Sequence, residues 1–580
     1  MHDTKLIKVK IDGIEAMVPE GSTILQAAEI IGIKIPTLCY DPRLSVSGAC
    51  RICSVEVKGN TALAPACAFP AYNGIEVFTH TPKVYRSRKT IIELLLANHP
   101  QDCLICVRNG NCQLQKVAEE YGIREWRWTG EKRHNPIDSS TSAIKRQPDM
   151  CILCGKCVKV CKEVQSIHAL DFTNRGFNTI VLPAFNQPLS DTVCILCGQC
   201  LLACPTAAIV DQSYTKTVRS ALDNPELFCT VQVAPAIRAS IGEEFGMPPG
   251  TLVTGKLVTA LKRLGFNLVF DTVFGADLAV MEEGHELIER IQHDGPFPMF
   301  TSCSPGWIKF MEHFYPEFIP NMSSCKSPQQ LTGIITKTYI AQKMNLDPQK
   351  IFNVSIMPCS AKKFEIERPE MRLENGIKEV DAVMTTRELA RILKNYGINL
   401  PSLPNSDFDA PLGITSGAGV EFGVTGGMME AALRTVADII SNQELKTIEY
   451  QLLRGYDGIK EGSVFVGNKE LRVAVVHGIK NARKLLDAIK ANQAFYHFVE
   501  VMACPGGCVG GGGQPYNTTT ETIKHRISAI YQEDRGKPIR KAHENPSIQQ
   551  LYREFLGEPL GPKSHIFLHT HYQPRKPSGI

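Results

Sequence analysis

The sequence predicts a multidomain protein of mixed class, α+β in its first part and α/β beyond it. Three observations carry this. The opening reads as a hairpin, then a helix, then four spaced cysteines. Two successive Cys-x2-Cys-x2-Cys-x3-Cys runs stand at residues 151–161 and 194–204. From about Asn224, short apolar segments alternate with helical patterns, the signature of an α/β core. At 580 residues the length prior is about four domains.

At the start, Leu6–Ile11 and Ile14–Val18 read as strands around an Asp12-Gly13 turn. Ser22-Thr23 then caps an apolar helix that ends near Gly32. A plant-type ferredoxin (β-grasp) begins this way, and residues 1–80 are assigned to such a domain. Cys39, Cys50, Cys53 and Cys67 are its candidate [2Fe–2S] ligands. Their first gap is ten residues, longer than the plant-type gap of about four. Gly48 and Arg51 lie where backbone amides can donate to sulfur. Residues 81–130 form a second small unit, with a helix ending near Ala97 and then His99-x3-Cys103-x2-Cys106-x5-Cys112. This is a His/Cys3 set for a [4Fe–4S] cluster, and a Cys3His zinc site is the alternative. Imidazole is neutral where thiolate is anionic, so histidine ligation raises the potential. Residues 113–147 read as a charged linker containing a helix.

The tandem runs mark a bacterial two-cluster ferredoxin domain over residues 140–215. In that arrangement the fourth cysteine of each run ligates the other cluster. Cys151, Cys154, Cys157 and Cys204 then hold one [4Fe–4S] cluster, and Cys194, Cys197, Cys200 and Cys161 the second. The third cysteine of each run and the Cys204-Pro205 ending weigh against paired zinc ribbons. The 21 cysteines do not read as disulfides, because Cys-x2-Cys-x2-Cys is poor disulfide geometry and no signal peptide precedes it. A net charge of +4 without a basic run or aromatic–basic interleaving gives no indication of nucleic acid. No apolar run reaches the roughly 18 residues of a membrane span. A reducing cytoplasm is the expected compartment. Gly510–Gly513 invites a phosphate-loop reading, but no Lys-Ser/Thr follows, and close backbone approach to a cofactor is more natural.

In the second half, strands are expected at Thr230–Pro235, Leu268–Phe274, Phe297–Phe300, Phe352–Met357, Val473–Val476 and Phe498–Met502. Helices are expected at Lys256–Leu264 and Ala276–Ile291. Three cysteine motifs stand out: Thr301-Ser302-Cys303-Ser304-Pro305-Gly306-Trp307, Met357-Pro358-Cys359-Ser360-Ala361-Lys362-Lys363, and Met502-Ala503-Cys504-Pro505-Gly506-Gly507-Cys508. From the residues alone they suggest one more iron–sulfur centre at the end of a wire. With them, nearly the whole chain resembles the [FeFe]-hydrogenases in their large multi-cluster form. It is similar to the catalytic chains of NAD(P)-linked or ferredoxin-linked cytoplasmic hydrogenases. No Rossmann fingerprint is present, so NAD(P)H chemistry would belong to a partner.

The resemblance implies an α/β H-cluster domain over residues 220–519 and a small-subunit-like segment over 520–580. It implies an H-cluster, that is, a [4Fe–4S] cubane joined to a di-iron unit with CO, cyanide and azadithiolate. One [2Fe–2S] and three further [4Fe–4S] clusters accompany it. Cys359, Cys504 and Cys508 match cubane ligands, with Cys508 bridging to the di-iron unit. Ser304 stands where the family carries the fourth cysteine, which makes its oxygen the expected ligand. The alternatives are water, or Cys303 taking that place. Cys303 otherwise matches the proton-transferring thiol, and Lys362 the lysine that bonds a cyanide. Lys363 is expected as a surface charge. Met357, Pro358, Phe422 and Met502 match the apolar wall. Pro235 and Ala236 fall beside the cofactor, Ala236 where many relatives carry serine, and Gln329 matches a polar neighbour.

The implied proton route runs from Cys303 through water, Glu283, Ser323 and Glu286 to solvent near Arg290. Glu283 and Glu286 share a helix face, which without the resemblance reads as merely solvated. Glu282 and His285 should point elsewhere, and Cys229 and Cys325 should be packed thiols. Lys541–Phe555 reads as a charged amphipathic helix, and the histidines of Ser564–Tyr572 as surface or packing residues. The implied reaction is 2H+ + 2e− ⇌ H2. The implied partners are ferredoxin or NAD(P)H-oxidising flavoprotein subunits, together with di-iron maturation proteins. One rival is an electron-input subunit of a NADH dehydrogenase, which leaves the three distal motifs without purpose. The other is a non-catalytic H2-sensing or iron–sulfur assembly protein on the same fold.

Overall fold

Alternating apolar residues build the first sheet: on β1 (Leu6–Ile11), Ile7, Val9 and Ile11 are buried while Leu6 and Lys8 face solvent. The structure, a computed structural model, describes residues 5–125, 127–441, 449–466 and 469–575. β1 pairs antiparallel with β2 (Ile14–Pro19). β3 (Ser54–Val57), β4 (Ala64–Pro65) and β5 (Ile75–Phe78) complete a five-stranded sheet of order β2-β1-β5-β3-β4. The Ile24–Ile30 helix packs Ile24, Leu25, Ala27 and Ala28 inward, and a Thr23/Gln26 capping box fixes its start. The Pro82–Ala97 helix then buries Arg88, which donates to the Ser54 carbonyl at 2.7 Å and ties it to β3.

In the tandem-cysteine region β6 (Ile144–Arg146) pairs with β9 (Ile209–Asp211), and β7 (Asp171–Thr173) with β8 (Ile180–Leu182), both antiparallel. Two four-stranded sheets follow. β11 (Leu268–Asp271), β10 (Phe228–Val233), β13 (Ile351–Met357) and β14 (Ala382–Thr385) lie side by side, all parallel. The second sheet has the order β12 (Met299–Phe300), β17 (Phe498–Met502), β16 (Lys469–His477), β15 (Ile459–Val466), with only β15 antiparallel. Each distal cysteine motif begins at the carboxyl end of a parallel strand: β12, β13 or β17. That is where open α/β sheets present their ligand sites. Among the described residues no helix is long and apolar enough to cross a membrane.

Several element boundaries differ from expectation. Leu268–Phe274 splits, because Asp271 ends the strand and its side chain caps the Thr272–Gln292 helix by accepting from the Val273 amide. Phe297–Phe300 shrinks to Met299–Phe300, since Pro296 and Pro298 have no ladder N–H to offer. Val473–Val476 lengthens to Lys469–His477 because it is paired on both sides. Lys541–Phe555 is not one helix. It breaks into Ala542–Glu544, Pro546–Leu551 and Tyr552–Leu556, with Pro546 starting the second piece and the Asn545 side chain capping it. Lys363 is wholly buried rather than at the surface, paired with Glu388 at 2.7 Å and donating to the Gln212 carbonyl.

Candidate active centre and electron wire

The local loops aim thiols inward. Leu153 and Leu196, each in the second position after a cluster cysteine, take φ of 54° and 57° and turn their amides onto the sulfurs of Cys151 and Cys194, both at 3.4 Å. The structure gathers Cys151, Cys154, Cys157 and Cys204 around one cavity, and Cys161, Cys194, Cys197 and Cys200 around a second. These are the exchanged sets expected from the spacing. Burial pushes the Cys154 thiol up to about 12, so an apolar chamber disfavours the bare thiolate. An iron cluster supplies the compensating positive charge, and the sulfur-only donor sets fit one. Cys39, Cys50, Cys53 and Cys67 also converge, with sulfurs close enough to hydrogen-bond one another and the amides of Ala49 and Cys50 directed at Cys39. His99 follows the Pro82–Ala97 helix. It is buried, its Nδ1 has no partner, and desolvation lowers its pKa to about 4, which keeps the ring a neutral ligand. Cys103 is exposed, and Cys106 and Cys112 are half-buried.

The first domain and the His99 unit each touch the tandem-cysteine region, which in turn meets the distal cavity. The first domain touches the tandem-cysteine region where Ser45 donates from its amide to Glu163 at 2.8 Å. His99 and Cys151 line a common cavity. Cys197 belongs to the second tandem set and also lines the distal cavity. There the backbones nearly touch, for a Cβ on Gly512 would lie 2.2 Å from the Cys197 carbonyl oxygen. The glycine run thus serves close approach of backbone to backbone, and Gln199 donates across it to the Gly510 carbonyl at 2.9 Å.

The distal cavity is lined by Cys303, Ser304, Cys359, Lys362, Met502, Cys504 and Cys508, among others. The Ala503 amide donates to Ser304 Oγ at 3.4 Å. Lys362 is held by both oxygens of Glu365, at 3.0 and 2.9 Å, and donates to the Cys303 carbonyl at 3.1 Å. Glu365 also accepts from Ser327 and Gln329, both at 2.9 Å. Gln329 Oε1 is buried without a partner. Pro235, Ala236, Gln329, Met357, Pro358 and Phe422 are buried but stand outside the cavity lining. Cys303, Cys359, Cys504 and Cys508, the Ser304 oxygen and a buried ammonium fit an anionic iron–sulfur assembly.

Beside Cys303 runs a buried polar chain. Burial, then the carboxylate of Glu283, drives the Cys303 thiol well above its ordinary value, so it holds its proton. Glu283 Oε1 accepts from the Ser302 amide at 3.3 Å and its hydroxyl at 3.1 Å, while Oε2 is buried without a hydrogen-bond partner. Desolvation, then the charge of Glu286, raises its pKa to about 8. Ser323 donates to Glu286 Oε2 at 2.8 Å, and Arg290 pairs with Oε1 at 2.7 Å. Glu282 turns the other way, toward Tyr552 and His569, and His285 contacts the Met281 carbonyl. Cys229 and Cys325 are buried.

The family of C-terminal domains from the iron-only hydrogenase large subunit matches residues 228–512, and the iron hydrogenase small-subunit family matches 520–575. The chain is 49% identical over 584 residues to the NADP-reducing hydrogenase subunit HndD of Solidesulfovibrio fructosivorans, covering 98% of this chain and 99% of that one. It belongs to the [FeFe]-hydrogenases. Iron hydrogenase 1 of Clostridium pasteurianum is 42% identical, covering 97% of this chain and 99% of that one. The solved structure of the [FeFe]-hydrogenase HydA1 from Chlamydomonas reinhardtii is 43% identical with a TM-score of 0.57, covering 62% of this chain and 99% of that one. Upstream, a 2Fe-2S iron–sulfur cluster binding domain matches residues 4–82, the NADH-ubiquinone oxidoreductase-G iron–sulfur binding region residues 88–127, and a 4Fe-4S binding domain residues 189–210. The hydrogenase therefore carries a [2Fe–2S] domain, [4Fe–4S] binding and an H-cluster domain.

Sequence reasoning missed two buried groups. Glu365 aims Lys362 and has a readable signal, an acid three residues after the lysine. Ser302 holds Glu283 from 19 residues away, and only the fold reveals it.

Proposed function

We propose that the distal cavity holds the H-cluster of a hydrogenase that reduces protons to H2 and runs in reverse. Cys359, Cys504 and Cys508 would hold its cubane through thiolates, Cys508 would also hold the di-iron unit, and Ser304 Oγ would supply the fourth ligand. The observation that carries this reading is the meeting of two paths at one cavity: the Cys197 loop on one side and the Glu283–Ser323–Glu286 chain on the other. When bound, the group supplies the redox and acid–base chemistry of H2, with CO, cyanide and azadithiolate on its di-iron unit. Cys303 holds the proton exchanged with it. Glu283 takes and returns that proton through an intervening water. Ser323 passes it to Glu286, which meets solvent beside Arg290. Lys362, held by both oxygens of Glu365, donates to an anionic ligand. Met502 on the cavity lining, backed by the buried Met357, Pro358 and Phe422, excludes water.

The cysteine sets and His99 would hold one [2Fe–2S] and three [4Fe–4S] clusters, which would supply electron transfer to the distal cavity. The domain limits follow the same reading: 1–80, 81–130, 140–215, 220–519 and 520–580. Ferredoxin or NAD(P)H-oxidising flavoprotein subunits feed them, maturation proteins install the di-iron unit, and the enzyme works in the cytoplasm. The retained relay favours turnover over a sensing or assembly role, and the distal cavity gives purpose to motifs that an electron-input subunit would not need. The test is dye-linked H2 evolution by the matured protein, with infrared bands of CO and cyanide. Bands with no turnover would favour the sensing role, and absence of bands after maturation would remove the H-cluster assignment.

A further inference from the structure

The small-subunit-like segment reaches the proton relay. Leu568–Thr570 lies against residues 324–326: the Lys326 amide donates to the Leu568 carbonyl and the Thr570 amide to the Ser324 carbonyl, both at 2.8 Å. This contact sets the His569 ring between two polar groups. Nδ1 is 2.8 Å from Ser324 Oγ, and Nε2 is 2.9 Å from Glu282 Oε2. Glu282 is fixed in turn by the Tyr552 hydroxyl and by the Leu560 amide at 2.9 Å. Its hydrogen bonds with His569 and Tyr552 outweigh burial and hold its carboxyl below the ordinary range. A carboxylate accepts only, so the proton between them sits on Nε2, and in the neutral ring Nδ1 then accepts from the Ser324 hydroxyl. Other titratable neighbours are exposed His565, whose ring centroid is 4.7 Å away, and buried Cys325, which forms an isolated bridge with His569.

Ser324 is thereby held from its side chain and its carbonyl. Its amide donates to Glu286 Oε2 at 3.3 Å, the same oxygen that Ser323 binds. We propose that His569 is a positioning residue for hydrogen turnover: it clamps Ser324 so that the Ser324 amide stays on Glu286. The inference rests on the relay reading above. A donor to a carboxylate favours its ionised form, so a slack Ser324 leaves Glu286 holding its proton more tightly. The small-subunit-like segment then acts in catalysis, beyond packing.

The test uses the full-length, matured enzyme with saturating dye and measures H2 evolution against pH for His569→Phe, His569→Gln, Ser324→Ala and Glu286→Gln. His569→Phe and Ser324→Ala should lower turnover roughly tenfold, the worth of one hydrogen bond to a charged group. The pH profile should move upward while the H-cluster infrared bands stay in place. His569→Gln should recover most of the rate, because its amide can accept from Ser324 and donate to Glu282. Unshifted pH profiles in both His569→Phe and Ser324→Ala overturn the proposal. If His569→Phe does not fold, Ser324→Ala decides alone. Wild-type turnover in Glu286→Gln would instead overturn the relay. Loss in Glu286→Gln with unshifted His569 and Ser324 variants overturns only the role of His569.

Discussion

Glu283 joins the chemistry to the protein's stability. Its pKa rises from 4.5 to about 8 through burial and then the charge of Glu286. The folded protein therefore keeps a proton at neutral pH that the unfolded chain releases. Its contribution to stability is full below 4.5 and is lost as pH rises through about 8. Glu283→Gln keeps the shape and removes the titration. H2 evolution should fall by about 10²-fold or more, the usual scale for a general acid–base group. The unfolding free energy of the variant should depend less on pH between 5 and 9 than that of the wild type, by denaturant titration at each pH. Undiminished turnover would remove Glu283 from the route. Ser304 is the other decisive residue. An alkoxide is a harder donor than thiolate and favours oxidised iron, so Ser304→Cys should raise the cubane potential and retain activity, and Ser304→Ala should leave the cubane labile. A redox titration followed by electron paramagnetic resonance checks both, and identical potentials for wild type and Ser304→Cys would exclude oxygen ligation.

At the scale of elements, the join between the tandem-cysteine loop and the glycine run sets electron delivery. Gly512 meets the Cys197 carbonyl and Gly198 so closely that Gly512→Ala must push the loops apart. Turnover driven through the N-terminal clusters should fall while the H-cluster infrared bands persist, and an unaltered rate of cubane reduction would show that this contact is not the path. The same elements show what a sequence can disclose. The convergence of the tandem cysteines was legible because iron–sulfur loops need fixed local spacing, and the Cys151 and Cys194 runs fold as their spacing implies. β14 and β15 were not, because their pairing with β13 and β16 is tertiary. The burial of Lys363 depends on Glu388, 25 residues on, and the place of His569 on Glu282, 287 residues away. No local pattern announces either. The Glu283/Glu286 pair was legible as one helix face, but its burial follows only from packing against the 300–325 region.

For the whole molecule, the question is which cluster set the partner reaches first. The sulfurs of Cys39, Cys53 and Cys67 are buried in their domain, whereas Cys103 is exposed and is followed by Leu104 and Ile105, 93% and 86% exposed. If the first domain only receives electrons from a specific donor, it is dispensable for chemistry. Removing residues 1–80 should then leave dye-linked H2 evolution and weaken the reaction with the natural donor. The truncation also strips the Ser54 carbonyl from buried Arg88, leaving it the Tyr121 hydroxyl, and uncovers Ile92. A buried guanidinium short of acceptors is costly, so truncation can disturb the neighbouring His99 unit for reasons unrelated to electron flow. Cys53→Ala in the full-length protein avoids this, because it removes one of the four converging thiols and keeps the sheet. Dye-linked activity should stay within about twofold of the wild type, since surface-donor reduction bypasses the missing cluster, while reduction by the natural donor should fall by about tenfold or more, the span that separates a disrupted step from scatter at 1.4 kcal/mol per decade. Loss of dye-linked turnover in a folded, matured Cys53→Ala protein would place the first cluster on the obligatory path, and an unchanged natural-donor rate would move the docking site to the exposed Cys103 loop.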